Sequence, residues 1–328
     1  MDLSIIIPVY NTDLEKFKNC IKSVMEISAE IDYEIIVVND GAKKEFSIEY
    51  EKYIKNISCV VYLKQENSGV SSARNAGIKI SKGKYIMFVD SDDKIYGKRI
   101  RKKYIDLDAD IVIFNKEIIS NKKKIKLMEF DEKEGYIENK KVIQEFISKN
   151  KFHNPFAQFI NRKFINDNEI RFNTNFIQGE DALFNLTMIL KKSKIYYSEE
   201  VIYKYNLDYS TYDNRWLNYP KEVFNNFKYL YYEKYKALDF IENRKKAERE
   251  LNCQYVNALF SYSLNLCCNE YKKYEDVLDD MSKFMKKIKI KKESNYLNLK
   301  KNLIKNKHWN IMCLISKCRK LYRNCKNL

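Results

Sequence analysis

The sequence predicts an α/β protein, a mostly parallel sheet flanked by helices and followed by an all-helical C-terminal region. Short, almost wholly apolar, Val- and Ile-rich runs recur at residues 3–9 (LSIIIPV), 33–38 (YEIIVV), 59–63 (CVVYL) and 85–89 (YIMFV). That is the pattern of strands covered on both faces. Helix-patterned segments separate the first pair and the last pair of runs, which calls for crossover connections and parallel pairing. Beyond about Trp216 the chain turns Tyr-, Lys- and Leu-rich without a strand-like run.

Each element has its own local reason. Leu14, Phe17, Ile21 and Val24 stand at helical spacing after the first strand, and GVSSARNAGIKIS opens a helix behind a glycine before the fourth. The connection between the second and third strands reads as a loop. KRIRKKYIDL looks helical and ADIVIF (109–114) looks like a further strand. From about 115 the segments EFISK, FAQFINRKFI and IYYSEEVIYKYN read as short mixed elements, and Gly179 opens the helix-like EDALFNLTMILKKS. Four or five helices follow. The expected domains are residues 1–212 and 213–328.

Composition narrows the chemistry. At 328 residues, with 45% apolar and 32% charged residues, the chain has material for a large core. MDLSIIIPVYN lacks a basic leader segment and Pro8 interrupts its apolar run early, so neither signal peptide nor membrane anchor is expected, and a cytoplasmic location is. Residues 251–269 carry no charge, but Asn252, Gln254, Asn257 and Asn265 make them a buried helix in preference to a membrane span. Eight cysteines without a C-x-x-C pair read as reduced thiols, and Cys313, Cys318 and Cys325 with His308 match no zinc spacing. With two histidines in all, catalysis must rest mainly on carboxylates, and His153, among aromatic residues, reads as a packed ring.

In an open parallel sheet, ligands bind beyond the carboxyl ends of the strands. The first strand here runs into Pro8, Tyr10 and Asn11, the second into Asn39, Asp40 and Gly41. The loop after the third carries Asn67, Ser68 and Gly69, and the fourth ends in Asp90, Ser91, Asp92 and Asp93. Neither G-x-G-x-x-G after the first strand nor G-x-x-x-x-G-K-[ST] occurs, so no glycine loop cradles phosphates. A diphosphate then needs a divalent cation, and hard oxygen ligands such as Asp92 select Mg2+ or Mn2+.

SIIIPVYN, VVNDGA, ENSGVSSARNAGI, YIMFVDSDD and GEDALFN, in this order over roughly residues 3–205, resemble the successive motifs of family 2 inverting glycosyltransferases with the A-type (GT-A) fold. The resemblance implies that Pro8, Tyr10 and Asp40 hold the nucleobase, usually uracil, with Arg74 closing the pocket beside Asn11, Asn67 and Gly69. It further implies that Asp90 binds ribose, Asp92 binds the metal, and Asp181 of the Glu180-Asp181 pair is the catalytic base. Where relatives place a metal-approaching histidine, Asp208 falls instead. Arg215-Trp216 matches the end of a processive-synthase motif, but Tyr212 does not. The expected reaction is therefore a single transfer of a hexose or N-acetylhexosamine from a UDP-sugar to a glycan acceptor, lipid-linked, in bacterial capsule, lipopolysaccharide or exopolysaccharide synthesis. A sugar nucleotidyltransferase is the alternative with a similar sheet, but PVYNTDLEKF lacks the basic glycine loop after its first strand.

Net charge is +16, and residues 283–328 hold fifteen Lys or Arg against Glu293, leaving the rest of the chain near neutral. Ile311, Leu314, Ile315, Cys318, Leu321, Tyr322 and Cys325 line one helical face and Lys317, Arg319, Lys320, Arg323 and Lys326 another. The pattern fits either an anionic membrane surface held through residues 308–326, with Trp309 near the helix start, or packing of the stripe on the helical region. A nucleic-acid-binding tail is the further alternative, but an apolar stripe does nothing for phosphates and no reading motif is present, so no nucleic acid is expected.

Overall fold

A computed structural model of the chain describes residues 1–120, 123–206, 215–268, 271–290 and 294–326, with side chains in the last helix described as far as Cys318. The chain forms two compact units, Met1–Tyr212 and Asp213–Leu328. The first runs β1 (Leu3–Val9), α1 (Leu14–Met25), β2 (Tyr33–Asp40), α2 (Lys44–Ile54), β3 (Val60–Gln65), α3 (Val70–Ile80), β4 (Tyr85–Phe88) and β5 (Lys94–Ile95). It continues with α4 (Lys102–Ile105), β6 (Ile111–Ser120), β7 (Lys123–Leu127), β8 (Gly135–Ile137), α5 (Asn139–Lys149), β9 (Gln158–Asn161), α6 (Arg162–Asp167), α7 (Glu180–Leu190) and β10 (Ile195–Asn206).

The strands form one sheet in the order β3-β2-β1-β4-β9-β6-β10-β5. Its first four strands are parallel, as the apolar runs require, and every residue of β1 is buried. Beyond β4 the sheet is mixed: β9 runs antiparallel between β4 and β6, and β10 lies parallel to β6. β7 and β8 add short antiparallel pairs to β6 and β10. From β1 the chain lays β2 and β3 to one side and returns to lay β4 on the other. Strand order thus reverses at β1/β4, the place where such sheets open a crevice.

Pro8 marks that opening. The β1–β4 ladder ends at Ile6 opposite Phe88, with one further bond from the Val89 N–H to the Ile6 carbonyl. Two residues on, the missing proline N–H would face the same side, past the end of β4, so no ladder bond is lost there.

Two expectations need correction. Residues 44–54 are a helix, not a loop: Phe46, Tyr50 and Ile54 form its stripe, and the Tyr50 ring packs 4.7 Å from Phe17. Aromatic residues spaced four apart among charges supply the inner face, so no aliphatic run announces it. KRIRKKYIDL yields only the single turn α4 after a 3-10 turn at Gly97–Arg99. The preceding residues are pinned instead, since β5 pairs with β10 and the Ile95 N–H donates to Ser23 Oγ at 3.1 Å.

The second unit comprises α8 (Arg215–Asn218), α9 (Pro220–Ala237), α10 (Arg244–Cys268), α11 (Glu275–Lys287), α12 (Asn295–Lys305) and α13 (Trp309–Lys326). The uncharged stretch lies in α10, buried at Leu251, Val256, Leu259 and Leu266. Asn252 is satisfied internally: it accepts from the Tyr231 hydroxyl at 2.8 Å and donates to the Lys289 carbonyl at 2.9 Å. Among the described residues no helix is long and apolar enough to cross a membrane. α13 packs on α10, with Cys313 Sγ donating to the Cys267 carbonyl and Ser316 Oγ to the Leu264 carbonyl at 2.9 Å, and Met312 is buried. Trp309 is buried too, whereas Ile311 and Leu314 of the predicted stripe are exposed. Ile311 and Leu314 thus do not pack on the helical region, while Ile315 is half-buried and the stripe beyond Cys318 lies outside the described side chains. The buried face of α13 is a different one.

Candidate active site

The site is built where β1, β2 and β4 end. Asp40, the last residue of β2, is buried and accepts from the Ser68 N–H and Gln65 Nε2 on one oxygen, at 2.9 and 2.7 Å, and from the Gly69 N–H on the other at 2.9 Å. A carboxylate that takes backbone N–H bonds from a loop fixes that loop's shape. Asp40 thus braces the Asn67-Ser68-Gly69 turn that leads into α3. Gly41 completes the turn: its φ is +72°, and a Cβ there would stand 2.5 Å from the Asn67 nitrogen. Only glycine combines that backbone with that approach.

Tyr10 is half exposed beyond β1, so it is a surface ring at the strand end and not a core aromatic. Asn11 adopts a left-handed φ of 51° and accepts from the Lys43 N–H at 2.8 Å, tying the β1 loop to the start of α2. Asn39, buried behind them, donates to Tyr62 and Ser47 and accepts from the Ala42 N–H.

The acidic turn after β4 divides its labour. Asp93 is buried and accepts from the Tyr203 hydroxyl at 2.8 Å and the Asn206 N–H at 2.7 Å. Asn206 donates its side-chain amide to the Asp92 carbonyl, and Tyr203 accepts from the Asp90 N–H. The turn is thereby fastened to the end of β10. Burial, with Asp90 beside it, pushes the Asp93 pKa up to about 8. The sequence reading did not give Asp93 this bracing role; its signal is only its place as the last acid of the cluster. Asp90 and Asp92 are partly exposed.

Arg74 joins the two ends of the site. Buried in α3, it donates to Asp90 Oδ1 at 3.0 Å and to Asp181 Oδ1 at 2.6 Å. Its guanidinium lies 5.2 Å from the Phe172 ring centre, and its buried Nε has no hydrogen-bond partner. Phe172 is itself held to α3 by a reciprocal pair with Asn75, at 2.8 and 2.9 Å. Asn75, one residue past Arg74 in SARN, is a supporting residue that the sequence reading passed over.

Asp181 sits in the first turn of α7, behind Gly179. The helix is anchored by Phe184, stacked on Phe172 at 3.9 Å with both rings edge-on to Phe88 of β4. Asn185, buried, donates to the Phe152 and Asn154 carbonyls at 2.8 Å. Burial pushes the Asp181 carboxyl up to about 7; Arg74 opposes that rise, while Glu180 and Asp90 reinforce it. A carboxylate so placed accepts a proton near neutral pH more readily than an exposed one.

The structure brings Tyr10, Asp40, Asn67, Gly69, Arg74, Asp90, Asp92, Glu180 and Asp181 to the ends of neighbouring elements of one unit. Asp208 lies outside the described residues. His153, half-buried, packs its ring 4.2 Å from that of Phe146. Among the described residues no group of three His, Cys, Asp or Glu is placed to cage a metal by itself.

Comparison with known proteins places this geometry. A segment of 116 residues is 34% identical to glycosyltransferase GlyA of Streptococcus pneumoniae, covering 34% of this chain and 16% of that protein. Over 101 residues the chain is 43% identical to the minor teichoic acid biosynthesis protein GgaB of Bacillus subtilis, covering 29% of this chain and 11% of that one. The chain therefore matches only a small part of these relatives' length. Among solved structures, S. aureus TarS 1-349 in complex with UDP superposes with a TM-score of 0.66 at 16% identity, over 98% of this chain and 92% of that one. At that identity the likeness speaks for the fold. The model of "Glycosyl transferase family 2" matches residues 4–185, which hold every described site residue above apart from those at the end of β10, and the chain belongs to that family.

Proposed function

We propose that the chain transfers one sugar from a UDP-sugar to a glycan acceptor, lipid-linked, with inversion at the anomeric carbon, in bacterial surface-polysaccharide synthesis. The observation that carries this reading is the Arg74 bridge, because one buried cation holds both the strand-end Asp90 and the helix-borne Asp181. Nucleotide-side and acceptor-side carboxylates are thereby kept in fixed relation.

In this reading the nucleobase lies against Tyr10 beside the Asp40-braced turn, and the ribose hydroxyls meet Asp90. Asp181 takes the proton of the acceptor hydroxyl as the acceptor oxygen bonds to the anomeric carbon. The bond from that carbon to the diphosphate oxygen breaks on the opposite face, and UDP leaves with its electron pair. General-base help of this kind is worth roughly 10² to 10⁴ in rate. Glu180 beside it disfavours loss of the Asp181 proton and so strengthens it as a base.

The residues present fit Mg2+ or Mn2+ of the kind that is shared with a substrate. Such ions are held by one or two carboxylates together with phosphate oxygens and water, so no three-residue cage is needed. Asp92 is the carboxylate that would hold it. When bound, the ion supplies charge neutralisation of the leaving diphosphate. Support for the donor class comes from the same fold in TarS, whose structures include complexes with UDP and UDP-GlcNAc.

The test is a thermal-shift panel of UDP-, GDP-, dTDP- and CMP-sugars with and without Mn2+, since a ligand of the native state raises its melting temperature. A UDP-selective, metal-dependent shift that is lost in Asp92→Ala supports the reading. Equal silence from every nucleotide sinks it.

A further inference from the structure

We infer that the outer face of α13 is a docking surface for an anionic membrane leaflet, an inference that does not depend on the donor or acceptor proposed above. Met312 and Ser316 are buried, and Cys313 and Ser316 hydrogen-bond to α10, so the helix already has an inner face. On the opposite side Leu314 is 63% exposed and Ile311 49%, and Cys318 is exposed on the same stripe. In sequence the stripe continues through Leu321, Tyr322 and Cys325, whose side chains lie outside the described residues.

An apolar stripe on a helix already anchored by its other face needs an occupant. Charge selects which one. α13 itself carries Lys317, Arg319, Lys320, Arg323 and Lys326 and no acidic residue, so a second copy presented face to face would bring like charges together. A nucleic acid would use the charge and leave the apolar residues without a role. A leaflet of anionic lipids uses both, with the apolar residues entering the headgroup boundary while the lysines reach the phosphates. The exposed Lys317, one helical step from Leu314, is placed for that.

The experiment is sedimentation of the full chain with vesicles of phosphatidylglycerol and phosphatidylcholine in equal parts, beside vesicles of phosphatidylcholine alone. Binding is expected to the first and not the second, and it should fall steeply at about 1 M salt, where the screening length shrinks to about 3 Å. The double variant Ile311→Asp/Leu314→Asp should lose at least about tenfold in partitioning, since each side chain removed from the apolar boundary is worth about a factor of ten. Both positions are exposed, so an unchanged melting temperature separates lost docking from lost folding. Lys317→Glu gives a second, charge-only readout in the same direction. Equal binding to both vesicle types, or none to either, overturns the proposal. So does duplex DNA binding that the double variant leaves intact, or self-association without vesicle binding.

Discussion

Arg74 donates to Asp181 across 2.6 Å although 107 residues separate them in sequence. The contact draws the start of α7 onto α3. Its second bond, to Asp90, makes the arginine a buried hinge pin between the two carboxylates. Replacing it with alanine leaves two neighbouring acids without their cation. Arg74→Ala should lower stability by about 1–3 kcal/mol, below the range for a fully buried pair because both carboxylates are partly exposed. Chemical denaturation measures it, and an unchanged midpoint would remove the pin.

Asp181→Asn keeps size and polarity but abolishes proton acceptance. Transfer should fall by about 10² to 10⁴ while the nucleotide-induced thermal shift persists. A variant with near-normal turnover would assign the base elsewhere.

The pH dependence follows from the same carboxyl. Its pKa is pushed up to about 7 by burial and by Glu180 and Asp90, against the pull of Arg74. A base works in its deprotonated form, so kcat should rise through about pH 7 and level off above it. A flat profile through neutral pH in a rate-limiting transfer step would contradict this assignment.

Tyr203→Phe removes the hydroxyl that donates to buried Asp93 and accepts from the Asp90 N–H. Stability should drop by about 1–2 kcal/mol, and the acidic turn should hold its ligands more weakly. Calorimetry with and without nucleotide and Mn2+ reads both effects. Loss of stability without any change in ligand affinity would confine Tyr203 to a packing role.

Gly41→Ala tests the Asp40-braced turn. With a φ of +72° and 2.5 Å to the Asn67 nitrogen, the added methyl forces the loop to move. A destabilisation above about 1 kcal/mol is expected, together with weaker nucleotide binding. Near-normal behaviour in both assays would show that the turn is not held as tightly as this.

The sequence by itself determined the parallel half of the sheet, because β1, β2 and β4 are buried almost throughout and their apolar runs need no partner to be recognised; the run at 59–63 reads the same, yet β3 lies at the sheet edge and is only partly buried, with Val61 exposed. It also determined which residues stand at the strand ends, since Asp40 and Asp90 follow directly from where those runs stop. The helix at Lys44–Ile54 stayed hidden because its inner face is made of aromatic residues among charges, and they become a face only against Phe17. Tertiary structure alone decided what each polar group does there. Asp40 braces a loop, Asp93 fastens the acidic turn to β10, and Arg74 reaches a carboxylate far along the chain, all through contacts between segments whose separation no local pattern encodes. The same holds for α13: its sequence shows one apolar stripe, but the hydrogen bonds from Cys313 and Ser316 to α10 set its inner face, and Ile311, Leu314 and Cys318 of that stripe are left exposed.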